Sequence, residues 1–215
     1  MSLLALTLGV AVLFGGLAIF TVRREHARKS ALRDLAERLG WTLDDSTPDL
    51  AWRLTRTLRG RTASIVASAP VSQHWMHHAP PRYTRCELDV GLEGALLLQA
   101  RQPLMDALGA LNPLRHMVGP AYEALARLPE IKEPSKLASS LSLRADREDR
   151  IRSALAAEGL DLLASWKPSA DLPTPMVSLH EGNLRVTLPG AVLWSPEDVE
   201  QLVRLFEALL PPDAT

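Results

Sequence analysis

The chain has 215 residues, of which 24 are basic and 25 acidic, so its formal net charge is -1 at pH 7. This balance gives the chain no overall positive field of the kind that marks many nucleic-acid-binding proteins, and we expect no nucleic-acid partner. The single cysteine, Cys86, excludes an intramolecular disulfide and any zinc site that needs several cysteines.

Residues 3–22 form an apolar segment without a charged side chain. As a helix, this segment would be about 30 Å long, which is the thickness of the hydrocarbon core of a bilayer. It therefore predicts a transmembrane anchor at residues 1–22. A cleaved signal peptide and a buried core helix are the alternatives, although a signal peptide usually has a basic stretch before a shorter apolar run.

Basic residues follow the apolar segment at once: Arg23, Arg24, Arg28 and Lys29. Because such residues are usually retained on the cytoplasmic side of a span, we expect a single-pass protein of the inner membrane. Its N-terminus would lie outside and its C-terminal domain in the cytoplasm. The same cations either bind anionic lipid headgroups or serve only as a flank that stops transfer.

Residues 23–40 are predicted to form a basic amphipathic helix that continues from the anchor, and residues 41–215 a soluble α+β domain. In the helix, the apolar residues at 32, 35, 36 and 39 have helical spacing, and Gly40 occupies the C-terminal cap position.

Alternating apolar and polar residues predict antiparallel β-hairpins in the domain. Residues 52–58 and 62–69 flank Gly60, residues 84–90 and 95–100 flank a turn at 91–94, and residues 176–181 and 184–188 flank Gly182-Asn183. A further strand is expected around Leu141.

Cys86 lies on the apolar side of its strand, which favours a buried core residue over a nucleophile.

Helices are predicted at residues 103–110 and 120–128, where prolines bound them, and at 146–158, where Gly159 would end the helix. A terminal helix begins after Ser195, a capping residue that is followed by proline and, three residues on, by an acid.

The predicted fold is α+β: an N-terminal transmembrane helix, then antiparallel β-hairpins packed against helices. An internal duplication is a further hypothesis, because residues 31–43 resemble 151–163 and the hairpins at Gly60 and Gly182 correspond.

Three features resemble those of uncharacterised bacterial single-pass membrane proteins. They are the segment Leu35-Ala36-Glu37-Arg38-Leu39-Gly40-Trp41 behind a basic flank, the hairpin around Gly60, and the terminal hairpin followed by a helix. The resemblance covers most of the chain. It implies the architecture of an anchor with an α+β domain, and no activity, because the function of those proteins is unknown.

Three histidines stand close together in the sequence: His74, His77 and His78. Imidazoles are ligands for zinc, copper or nickel, so this loop is a candidate metal or small-ligand site. The alternative is a loop without a ligand, because prolines bracket the segment and no carboxylate lies beside it to complete a ligand set.

Four arginines concentrate positive charge on the first hairpin: Arg53, Arg56, Arg59 and Arg61. They are either a site for phosphate or an acidic partner, or a solvated strand face.

The sequence contains no phosphate-binding loop, dinucleotide fingerprint, hydrolase elbow or His-Glu-x-x-His motif. These absences lower the expectation of an enzyme, and no cofactor is predicted. The leading hypothesis is a membrane-anchored protein whose cytoplasmic domain is a non-enzymatic protein-interaction or assembly module. Its expected partners are the bilayer and a protein at the membrane surface. The alternative is a metal- or small-ligand-binding domain that uses His74, His77 and His78.

Overall fold

The structure, a computed structural model, describes residues 3–44, 50–68, 82–101, 121–131, 137, 141–169 and 172–211. Its strands are β1 (Thr42–Asp44), β2 (Trp52–Leu58), β3 (Arg61–Ser68), β4 (Tyr83–Leu92), β5 (Leu96–Ala100), β6 (Leu141–Ala145), β7 (Met176–His180) and β8 (Gly182–Pro189). Its helices are α1 (Leu3–Leu39), α2 (Ala121–Ala126), α3 (Arg150–Ala154), α4 (Ala157–Ala164) and α5 (Pro196–Leu209).

All eight strands form one antiparallel sheet in the order β1-β2-β3-β4-β8-β7-β5-β6. The two halves of the chain meet at the centre, where β4 pairs with β8. The predicted α+β class is confirmed, and so are the hairpins of β2 with β3 and of β7 with β8. The hairpin predicted from residues 84–90 and 95–100 is wrong: β8 and β7 lie between β4 and β5 in the sheet, so the turn at 91–94 leads the chain to a strand that does not pair with β4.

One face of the sheet carries the main hydrophobic core. Alternate residues of every long strand point to this face, as their period of two requires, and α1, α3, α4 and α5 supply the opposing apolar side chains. Leu32, Leu35 and Ala36 of α1 and Phe206 of α5 are all buried there. As predicted, α5 begins with proline, and its cap is the hydroxyl of Ser195, which accepts a hydrogen bond from the amide of Asp198 (3.5 Å).

A smaller cluster lies on the other face, where α2 packs on β5, β6 and β7. Its buried members are Leu97, Tyr122, Leu125 and Met176. The hydroxyl of Tyr122 lies 3.2 Å from the side-chain oxygen of Gln99, to which it donates a hydrogen bond inside this cluster. The predicted helix at 120–128 is thus confirmed, whereas the one predicted at 103–110 lies outside the described residues.

The amphipathic helix predicted at 23–40 and the backbone of residues 3–22 belong to one continuous helix, α1, as expected. Gly40 ends it with a φ of 71°. In the part of the chain that the structure describes, no helix is both long enough and apolar enough to cross a membrane.

The helix predicted at 146–158 is wrong in detail, because the chain forms two helices, α3 and α4, with a break at Leu155 and Ala156. Gly159 does not end a helix but lies inside α4. A Cβ at this position would lie 2.5 Å from the backbone of Leu209, so glycine permits a close approach of α4 to α5.

The last hairpin turn is one residue earlier than predicted. Glu181 and Gly182 carry the positive φ angles, 50° and 79°, and Asn183 already pairs with His180 in the sheet. The similarity between residues 31–43 and 151–163 also fails at its end, because Leu43 lies in a strand and Leu163 in a helix.

Acid should destabilise the fold in part through Asp146, whose carboxylate accepts two hydrogen bonds from Arg150 (2.8 and 3.1 Å) and one from the amide of Ala95 (3.2 Å). The side-chain hydrogen bond from Arg150 is the main cause that lowers the pKa of Asp146. A carboxyl with a lowered pKa stabilises the fold above the ordinary aspartate pKa of about 3.9, and this contribution is lost as the pH falls through the lowered value.

We therefore expect Asp146→Asn to be less stable than the parent at neutral pH and to lose less stability on acidification below about pH 4. Urea unfolding at a series of pH values measures this. Asp161→Asn, at an exposed position of α4, is the control. Parallel stability curves for the parent and Asp146→Asn would contradict the assignment.

Candidate functional site

The predicted metal ligands His74, His77 and His78 lie outside the described residues. Among the residues that are described, no group of three or more His, Cys, Asp or Glu side chains is arranged to hold a metal ion. The metal or small-ligand site therefore stays a prediction.

The basic flank of α1 divides into two parts. Arg23 and Arg24 are exposed. The guanidinium of Arg28 lies over the ring of Trp194 at 5.5 Å, a cation–π contact, and the ammonium of Lys29 is 3.6 Å from Glu25. Arg28 thus connects α1 to the domain.

Trp194 is held in place by hydrogen bonds to the segment before it. The buried hydroxyl of Thr84 accepts from the amide of Leu193 (3.0 Å) and donates to the carbonyl of Ala191 (3.1 Å). The indole of Trp52 donates to the carbonyl of Leu193 (2.9 Å). The sheet therefore fixes the residue that contacts Arg28 of α1.

The four arginines of the first hairpin do not form one site. Each side chain has a different partner or position. Arg56 pairs with Glu207 of α5 (3.0 Å), and Arg61 pairs with Asp89 of β4 (3.1 Å). Arg59 donates a hydrogen bond to the carbonyl of Pro211, and Arg53 lies on the opposite face of the sheet. Because alternate residues of a strand point to opposite faces, the four arginines cannot all contribute to one site for phosphate or an acidic partner.

A cleft of about 310 Å³ lies between the end of α5 and the turn of the first hairpin. Leu58, Leu88 and Val90 contribute to its apolar lining, and Arg59 and Arg61 contribute charge. Both arginines already bind groups of the fold, Pro211 and Asp89, so their donors are partly used. The cleft has the volume of a small-ligand site, but its two arginines already donate hydrogen bonds to Pro211 and Asp89.

A polar surface occupies the face of β2, β3, β4 and β8 that points away from α5. We call it the polar face, and define it as Arg53, Thr55, Thr57, Thr62, Ser64, Val66, Tyr83, Arg85, Glu87, Arg185 and Thr187. Whereas α2 packs over β5, β6 and β7, the described residues place no helix over these four strands. This part of the sheet is the candidate interaction surface.

An ion pair stands at the centre of the polar face. Arg185 of β8 donates to Glu87 of β4 through two nitrogens (2.7 and 3.0 Å), and both side chains are 24% exposed. Arg85 is 21% exposed, and its Nε lies 3.5 Å from the other oxygen of Glu87. The guanidinium of Arg85 also lies over the ring of Tyr83 at 5.2 Å.

Two arginines of the polar face have unsatisfied donors. The Nε atoms of Arg53 and Arg85 are buried and have no hydrogen-bond partner, so the 3.5 Å approach of Arg85 to Glu87 is an ion pair without hydrogen-bond geometry. A buried donor without an acceptor costs about 1–3 kcal/mol. Both arginines lie in one register row, on either side of Val66.

The alternation along β4 predicts that Arg85 and Glu87 lie on its polar side, but it does not predict their neighbour Arg185. Glu87 and Arg185 are 98 positions apart, and only the pairing of β4 with β8 brings them together. The alternation of the polar residues Asn183, Arg185 and Thr187 along β8 was the available signal.

Cys86 is fully buried on the core face, as predicted. Burial raises the pKa of its thiol well above the usual range, and the carboxylate of Glu207 adds to the rise. A thiol in this state is not a nucleophile at neutral pH.

No protein-family model, curated protein or solved structure matches the chain.

Proposed function

We propose that this chain is a single-pass membrane protein whose cytoplasmic α+β domain is a non-enzymatic interaction or assembly module. In this proposal the polar face receives a protein partner at the membrane surface. The apolar segment at residues 3–22, the basic residues that follow it and the strands over which the described residues place no helix each support one part of the proposal.

Exposed apolar side chains near the start of α1 support the anchor. Leu17, Ile19, Phe20 and Val22 are 54–63% exposed. At about 100° per residue they point in different directions around the helix axis, so no single stripe could be buried against the domain. A helix that is apolar on all sides is typical of a membrane span or of a protein core. Residues 3–22 also lack any charge.

The cations that follow support the orientation with the N-terminus outside and the domain in the cytoplasm. Arg23 and Arg24 come directly after Val22, where the positive-inside rule applies. The contact between Arg28 and Trp194 begins six residues after Val22, which is about 9 Å along a helix. This distance would hold the domain close to the headgroups of the inner membrane.

The polar face is the observation that carries the interaction role. A sheet buries one face in its own core, and the other face is either covered or exposed to solvent and partners. Here the described residues cover β5, β6 and β7 with α2 and leave β2, β3, β4 and β8 without a helix. The charges on those strands are partly exposed, at 21–24% for Arg85, Glu87 and Arg185, so a partner could contact them.

Site-specific photocrosslinking in native membranes tests the proposal. A benzoylphenylalanine at Thr57, an exposed residue of the polar face, is expected to form one discrete adduct with a membrane-associated protein after carbonate washing. The matched position is Glu158, which is exposed on α4 on the other side of the sheet, and it should give no such adduct. Loss of the chain from washed membranes, or identical adduct patterns from both positions, would overturn the proposal.

A further inference from the structure

We infer that the docking segment of the partner is an acidic, extended stretch of protein that lies across the polar face. This inference rests on the proposed function and adds the chemistry of the partner to it. Three observations carry it: the excess of hydrogen-bond donors, the spacing of the arginines and the small size of the charged cluster.

Donors exceed acceptors on the polar face. Arg53, Arg85 and Arg185 supply three guanidiniums, and of the opposing carboxylates Glu87 is already bound by Arg185. Asp44 of β1 lies opposite Arg53 in the register, and Asp89, the next residue on this side of β4, already binds Arg61. With Arg61 included, four guanidiniums face three carboxylates, which leaves a net excess of one positive charge. The remaining side chains around Arg53 are hydroxyls, on Thr55 and Ser64. A carboxylate accepts from guanidinium and hydroxyl groups alike, so an acidic segment supplies what this surface lacks.

The spacing of the arginines matches an extended chain. Arg53 and Arg85 are two strands apart in one register row, which separates their Cα atoms by about 10 Å. Arg85 and Arg185 are diagonal neighbours on adjacent strands, about 7–8 Å apart. Carboxylates at alternate positions of an extended peptide are about 6.5–7 Å apart, and flexible arginine side chains can span the difference.

A nucleic acid and a lipid headgroup fit the same surface less well. Nucleic-acid interfaces commonly contact about six to ten phosphates, and three arginines with a paired carboxylate offer far fewer contacts. Lipid phosphates at the bilayer would meet the exposed Arg23 and Arg24 before they met the partly buried side chains of Arg85 and Arg185.

Peptide binding to the full chain in phosphatidylcholine nanodiscs tests the inference. The probe is a fluorescent peptide of alternating Glu and Ser, compared with the same peptide carrying Gln in place of Glu. The Glu peptide is expected to bind, to weaken as salt is added, and to bind about tenfold more weakly to the double variant Arg53→Gln/Arg85→Gln. This variant leaves the pair of Arg185 with Glu87 intact.

The control is Arg152→Gln/Arg204→Gln, which removes the same charge from exposed positions of α3 and α5 and should bind like the parent. Thermal unfolding of both variants verifies that they fold. Equal affinity for the Glu and Gln peptides, no effect of Arg53→Gln/Arg85→Gln, or stronger competition by phosphatidylglycerol vesicles or single-stranded DNA would each overturn the inference.

The same double variant separates this inference from the proposed function. If the adduct from Thr57 forms in membranes and Arg53→Gln/Arg85→Gln does not reduce it, the interaction module stands and the acidic partner is wrong. If no adduct forms at all, the proposed function itself fails. Mass spectrometry of the adduct identifies the segment, and a segment without acidic residues would also overturn the inference.

Discussion

Replacing Gly159 by alanine is expected to lower the stability of the domain by roughly 2–4 kcal/mol. The added Cβ would lie 2.5 Å from the Cα and N of Leu209 and 2.6 Å from the carbonyl carbon of Ala208. These are backbone atoms, which no rotamer change can move, so α4 must separate from α5. Alanine's better helix propensity, worth about 1 kcal/mol over glycine, offsets only part of this cost.

Thermal unfolding followed by circular dichroism measures the effect, and a decrease of about 5–15 °C in the midpoint is expected for a chain of this size. The control is Glu158→Ala, at the neighbouring exposed position of the same helix. It should change the free energy of unfolding by no more than about 0.5 kcal/mol. Equal midpoints for Gly159→Ala and Glu158→Ala would show that the two helices are not packed as closely as described.

Gly159 also shows why the sequence predicts some elements of this fold and misplaces others. Locally, a glycine after a helical pattern predicts a helix end. The reason for the glycine is Leu209, fifty positions later, and no local pattern contains that contact. The opposite case is β4, where the alternation of Thr84, Cys86 and Leu88 with Arg85 and Glu87 correctly separated core from surface. Period two alone decides that assignment once one face of the sheet is buried.

The candidate site is less predictable than the strands that carry it. The four arginines of the first hairpin are neighbours in sequence. However, Arg53 and Arg56 point to opposite faces of the sheet. Arg59 and Arg61, at the turn, bind Pro211 and Asp89. Arg85 and Arg185 join Arg53 only because β4 pairs with both β3 and β8. The order of the strands, which depends on contacts far apart in the chain, therefore creates a polar face that local patterns do not reveal.

Replacing Trp52 by alanine is expected to destabilise the domain by about 3–5 kcal/mol and also to loosen its attachment to α1. Trp52 is 1% exposed in the main core, so its removal leaves a large cavity. Its indole also donates to the carbonyl of Leu193, next to Trp194, whose ring contacts Arg28 of α1. A single side chain thus contributes both to the core and to the position of the domain relative to α1.

Two measurements separate these effects. Urea unfolding gives the stability, and distances between spin labels at Arg24→Cys and Glu158→Cys report how firmly α1 is held. Trp52→Phe is the matched variant: it keeps most of the packing but leaves the carbonyl of Leu193 without its indole donor, at a cost of about 1–3 kcal/mol. If the hydrogen bond positions Trp194, both variants should broaden the distance distribution although Trp52→Phe is much the more stable. A distribution that is unchanged in both would mean that Thr84 alone holds this segment, since its hydroxyl binds both Ala191 and Leu193.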